Sequence, residues 1–119
     1  MESIPAYVER CTQMWVLVPA CEHADRAGAT CDYFSWRKRG WCRMEFGASK
    51  LARGDDMPLL VIESSATLYY FNPCDTVRLC AARGEFSVAE DVHAVNRIVG
   101  RMALAKADYY AAQAPQSIC

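Results

Sequence analysis

Residues 14–18 read "MWVLV", an unbroken apolar run closed by Pro19, and residues 58–62 repeat the pattern as "PLLVI". Runs without polar alternation suit strands covered on both faces, as in a parallel sheet. Working outward, residues 4–11 form a short helical candidate with Pro5 in its first turn, where a missing amide proton does no harm. A polar, glycine-containing loop is expected over residues 20–33, then a helix over residues 40–53 that Gly54, Asp55 and Asp56 bring to an end. On that helix Trp41, Met44, Ala48, Leu51 and Ala52 recur at helical spacing, which predicts a stripe packed on the sheet. Glu45, one turn after Trp41, lies beside the stripe.

Beyond the second apolar run, residues 64–70 suit a short helix or turn, Asn72 and Pro73 break it, and residues 77–80 supply a third strand candidate. Ser87 and Glu90 have capping-box spacing, and Val88, Val92, Val95, Val99 and Met102 then repeat at three- and four-residue steps. A final helix follows from that repeat, weakened slightly by Gly100. Such alternation of helices and strands predicts an α/β fold with an open parallel sheet flanked by helices. Ligands of these sheets bind beyond the carboxyl ends of the strands. The loop after Val18 leaves from that end towards Trp41 and Glu45, so Glu45 is expected to line the crevice.

At 119 residues the chain has room for one core. Its 53% apolar and 23% charged residues indicate a folded domain rather than a disordered one. A net charge of -1 provides no overall field for nucleic acid or an acidic membrane, so neither is expected as a partner. The run around residues 14–21 is too short to span a membrane. Seven cysteines, an odd number with no Cys-x-x-Cys pair, fit reduced thiols in a cytoplasmic protein. Cys21, His23, Cys31 and Cys42 match no zinc-module spacing, so no metal is expected. Cys119 ends the chain, whereas prenylation needs the cysteine four from the end.

The order "YVERC", "MWVLVP", a variable loop, "RGWCRMEF" and "PLLVI" resembles the middle of a TIR (Toll/interleukin-1 receptor-like) domain. In that family a helix and strand precede a Trp-Cys-x-x-Glu motif and a further strand follows. The resemblance covers residues 3–64, with the rest compatible but unspecific, and implies a flavodoxin-like parallel sheet. Family members usually begin with a strand, helix and strand for which this chain has no counterpart, so a domain truncated at its N-terminus is expected over residues 1–112, with a tail at 113–119. Without the strand that would be central, "MWVLV" is expected to be an apolar edge open to another chain. Enzymatic members often carry a serine shortly before the tryptophan, where this chain has Arg39 and Gly40.

By this resemblance Glu45 takes the place of the glutamate that cleaves the nicotinamide-ribose bond of NAD. That cleavage releases neutral nicotinamide and leaves an oxocarbenium-like ribose, which a carboxylate can stabilise. The same residue type is also common in first helical turns, where amide dipoles favour it. Trp36 and Trp41, with Tyr33 and Phe34, offer rings to stack on a nicotinamide or adenine; the plainer reading makes Trp41 a core anchor of its helix and the others cover for the loop surface. Arg39 and Arg43, with Arg37 and Lys38, offer charge to a pyrophosphate, and a cation run also suits a solvated helix entry. Cys42 reads as a small buried hydrophobe, since neither His23 nor His93 is placed by sequence to activate it.

Two functions follow from the resemblance. One is an intracellular signalling domain that hydrolyses NAD as substrate, with no cofactor and with self-association through other TIR-like domains. The other is a non-enzymatic TIR-type interaction module, or an inactive truncated remnant.

Overall fold

The computed structural model describes residues 3–52 and 57–114. Its elements are α1 (Ile4–Val8), β1 (Met14–Leu17), β2 (Cys21–Glu22), β3 (Thr30–Cys31), α2 (Tyr33–Lys38), α3 (Gly40–Leu51), β4 (Leu59–Ile62), β5 (Leu68–Tyr70) and α4 (Asp91–Gln113). Two 3₁₀ turns, Pro73–Val77 and Ala81–Arg83, fill the stretch before α4. The fold is mixed α/β, with a three-stranded sheet in the order β1-β4-β5. The two apolar runs pair in parallel, Met14 opposite Leu59 through Leu17 opposite Ile62. β5 then joins β4 antiparallel, with Val61 opposite Tyr69.

Several expectations are corrected. Residues 64–70 are a tight turn followed by a strand: Thr67 accepts from the Glu63 amide at 2.9 Å, and the aromatic run Leu68–Tyr70 pairs back on β4. Aromatic residues favour the pleated backbone over a helix. Residues 77–80 form no strand, because Asn72 Oδ1 accepts from the Cys74 amide and starts a 3₁₀ turn that carries the chain to Leu79. The predicted loop over 20–33 contains a small hairpin, with Cys21 opposite Cys31 and a glycine at positive φ, Gly28, in its turn. α2 was also absent from the sequence reading. It is capped by Asp32, whose Oδ1 accepts from the Ser35 amide at 2.7 Å while the Ser35 hydroxyl accepts from the Asp32 amide.

The core divides at α3. On one side Phe46 packs with Val16, Val18, Leu59, Val61, Phe71 and Leu79 against the sheet. On the other, Met44 and Ala48 pack with Ala81, Val95, Ile98 and Met102, largely beneath α4. The stripe of Trp41, Met44, Ala48 and Leu51 therefore faces α4, not the sheet, and Phe46 is the residue that meets the strands. A buried side chain of this size contributes roughly 1.5–3 kcal/mol. Nor is β1 covered on both faces: Val16 is buried, but Trp15 is 61% and Leu17 67% exposed.

α3 ends at Leu51, and Ala52 turns extended. The proposed stop residues Gly54, Asp55 and Asp56 lie outside the described residues. Lys106 of α4 donates to the Lys50 carbonyl at 2.7 Å and so occupies one of the open acceptors at the end of α3. α4 itself starts at Asp91, and Glu90 makes no side-chain cap, so the Ser87–Glu90 capping box does not form. Residues 88–93 approach the helix through three-residue turns, such as the His93 amide donating to the Glu90 carbonyl at 3.1 Å. The buried face of α4 is Val95, Ile98 and Met102, and Val88 lies outside the helix and exposed. α4 runs through residue 112 to Gln113, and residues 115–119 of the expected tail lie outside the described residues.

Candidate functional site

α2 and α3 follow each other directly, and Arg39 is the hinge residue, extended at ψ 127° between them. A short backbone bridge fixes the junction. The Gly40 amide donates to the Glu85 carbonyl at 2.8 Å, and the Glu85 amide donates to the Lys38 carbonyl at 2.7 Å. The approach is so close that a Cβ at Gly40 would overlap the Phe86 ring, and one at Gly84 would overlap the Gly40 backbone. Glycine at both positions is thus a packing requirement.

Glu45 rises from this well-anchored helix, half-buried. Burial raises its pKa above the ordinary 4.5, and the Arg39 guanidinium opposes that rise. Cys42, one turn earlier, is likewise raised from its ordinary value by burial, with Arg39 lowering it and Glu45 adding to the rise. Arg39, Cys42 and Glu45 are therefore electrostatic neighbours. A buried-side carboxyl with a raised pKa beside a single cation is the kind of perturbed group that active sites often hold.

The remaining predicted site residues are engaged elsewhere. Trp41 is half-buried in the cluster beneath α4, and its Nε1–H donates to Asp91 Oδ2 at 2.8 Å, which ties α3 to the first turn of α4. Arg43 is the strut of the α2–α3 junction: Nε donates to the Arg37 carbonyl at 2.6 Å and Nη1 to the Cys80 carbonyl at 3.2 Å. It leaves α3 about 200° around the helix from Glu45, given about 100° per residue. Trp36 packs against the sheet-side cluster and stacks on Tyr33 with ring centroids 5.9 Å apart. Of the residues read from sequence, the structure brings Arg39 to Glu45, and it leaves Trp36 and Trp41 in different clusters.

A second group joins two residues singled out from sequence, Tyr33 and Arg37, to three that were not, Glu63, Tyr69 and Asp75. Tyr33 meets Tyr69 edge-on at 6.2 Å, Tyr69 donates to Glu63 at 3.2 Å, and Arg37 both lies over the Tyr33 ring and pairs with Asp75 at 3.2 Å. Burial pushes the Tyr33 hydroxyl up to about 12. The group sits where β4 ends and β5 begins, and only the misread strand β5 brings Tyr69 into it. Among the described residues, no three His, Cys, Asp or Glu side chains converge on a point where a metal ion could sit, Cys21, His23, Cys31 and Cys42 included. Nor, among the described residues, is any helix long and apolar enough to cross a membrane.

No protein-family model, curated protein or solved structure matches the chain.

Proposed function

We propose that this chain is a TIR-like signalling module in which Glu45 acts on the nicotinamide-ribose bond of NAD. The observation that supports this reading most is the state of Glu45: half-buried, raised in pKa by burial, and balanced by Arg39 alone. Its helix is part of the crossover from β1 to its parallel neighbour β4, although Glu45, in the middle of that helix, lines neither the cavity beside the β2–β3 hairpin nor the one between α1 and α4. As the bond to nicotinamide breaks, positive charge grows on the ribose, and the ionised Glu45 carboxylate offsets it. Desolvation strengthens that interaction, since the effective dielectric around a half-buried group is lower than in water. Arg39 keeps the carboxylate ionised further into acid and offers a cation to the substrate phosphates.

The test is nicotinamide release from NAD by the purified chain at high concentration. The native protein is expected to release it, and Glu45→Ala to lose at least about a hundred-fold of the rate, within the range for a single charge-stabilising group. A folded native sample that releases none rejects the enzymatic reading.

One observation favours the non-enzymatic alternative, in which the chain signals by binding similar domains. β1 is a sheet edge with Trp15 and Leu17 exposed on one face, a surface suited to a second chain. Under that reading Glu45→Ala leaves association unchanged, while substitutions on β1 abolish it.

A further inference from the structure

Between the β2–β3 hairpin, the last turn of α2 and the segment around Glu85 lies a cavity of about 390 Å³. That is within the usual range for small-molecule sites, about 300–1,000 Å³. Three permanent cations, Arg26, Lys38 and Arg39, border it together with His23, against the single carboxylate of Glu85. The chain as a whole carries -1, so this positive surplus is local.

None of the three cations forms an ion pair among the described residues. The Lys38 ammonium rests instead with Nζ 4.4 Å over the Phe34 ring, a cation–π contact at an exposed side chain, and has no carboxylate partner among the described residues. The Asp25 amide donates to Nδ1 of His23 at 3.1 Å, so the ring proton of the neutral form sits on Nε2 as a further donor. Thr30 and Ser87 add hydroxyls to the wall. The lining is thus rich in donors and short of acceptors, the complement of an oxyanion with several charges.

We propose that this cavity binds a small phosphate-bearing molecule, held by Arg26, Lys38 and Arg39. The assignment shares Arg39 with the reading of Glu45 but does not rest on it, because Glu45 is not in the cavity wall and Arg26 and Lys38 take no part in that reading. Two of the cations come from elements the apolar pattern does not locate: Arg26 from the hairpin turn and Lys38 from α2.

The experiment is isothermal titration calorimetry of the full chain with inorganic pyrophosphate at low ionic strength. One site per chain is expected. Arg26→Ala and Lys38→Ala should each weaken binding about three- to five-fold, the scale for one exposed charge contact. Glu85→Gln should tighten it, since it removes the one repulsive charge while leaving the backbone bridge to Gly40 in place. Arg97→Ala, a change of equal charge on exposed α4 surface, should leave it unchanged. Absence of binding overturns the assignment. So does equal weakening by Arg97→Ala, which would mean diffuse attraction to net charge, or no tightening by Glu85→Gln. Arg26 and Lys38 are exposed side chains with no hydrogen bond to the rest of the protein, so these variants keep the fold.

Discussion

A half-buried carboxyl is a source of pH dependence, and for Glu45 the sign is set by burial. Its folded-state pKa lies above the ordinary 4.5. Such a group contributes stability below the ordinary value, where it is protonated in both states, and loses it as pH rises through the raised folded value. Glu45→Gln removes that loss. The denaturation midpoint of the variant is therefore expected to climb relative to the native chain as pH rises from the ordinary glutamate value through the raised folded value, then hold level. Urea titrations at a series of pH values measure this; a constant difference would show that Glu45 has no raised pKa. If the ionised form acts on NAD, the acid limb of the rate profile lies above the ordinary glutamate value, and Arg39→Ala moves it to higher pH. At this scale the sequence placed Glu45 one helical turn after Trp41 whatever that helix packs on, but it did not pair Glu45 with Arg39. It showed Trp41 as a core anchor, which the cluster beneath α4 bears out, but neither its hydrogen-bond partner nor the strut role of Arg43. Their roles depend on Asp91 and on the Cys80 carbonyl, 50 and 37 residues away.

Elements carry the next lesson, in the junction of α2 and α3. Local signals for α2 were present in the Asp32–Ser35 spacing, but serine at the third helical position is a rarer capping partner than glutamate. The break at Gly40 could not be read locally, since its cause is the Phe86 ring from a distant segment. Gly40→Ala would gain up to about 1 kcal/mol of helix propensity yet force that ring to move, so a net loss of about 1–3 kcal/mol is expected. Phe86→Ala leaves space at that point. Combining the two should cost less than the sum of the single changes, and a double-mutant cycle by chemical denaturation measures the coupling. Additive effects would mean that the ring and the glycine do not share one space. The stripe on α3 was correctly apolar but assigned to the wrong partner. Periodicity identifies a buried face, not the element that buries it.

For the molecule as a whole, a parallel pair flanked by helices was legible from the two apolar runs, and the full flavodoxin-like sheet was not realised. Sheet order depends on pairing between distant strands, and an aromatic run such as Leu68–Tyr70 looks alike whether it pairs or coils. The radius of gyration is 16.4 Å, against about 13–14 Å for a compact chain of this length. The residues of α4 beyond Met102 are mostly exposed. Under the interaction-module reading, the apolar edge of β1 is where copies meet. Leu17→Lys on β1 is expected to lower self-association at least about five-fold, with stability changed by no more than about 0.5 kcal/mol, because the side chain is exposed. Sedimentation equilibrium over a concentration series measures it, and association equal to that of the native chain would exclude β1 as the contact. β1 also has an inner and an outer ladder. The Met14 and Val18 amides donate across to Pro58 and Ile62, so the alternate amides, Trp15 and Leu17, point away from β4. In deuterium oxide the strand should therefore label in a comb, Trp15 and Leu17 within seconds and Val16 far later. A second chain laid along that edge would erase the comb, so the labelling of two amides alone would report the monomer, residue by residue, without any partner being identified.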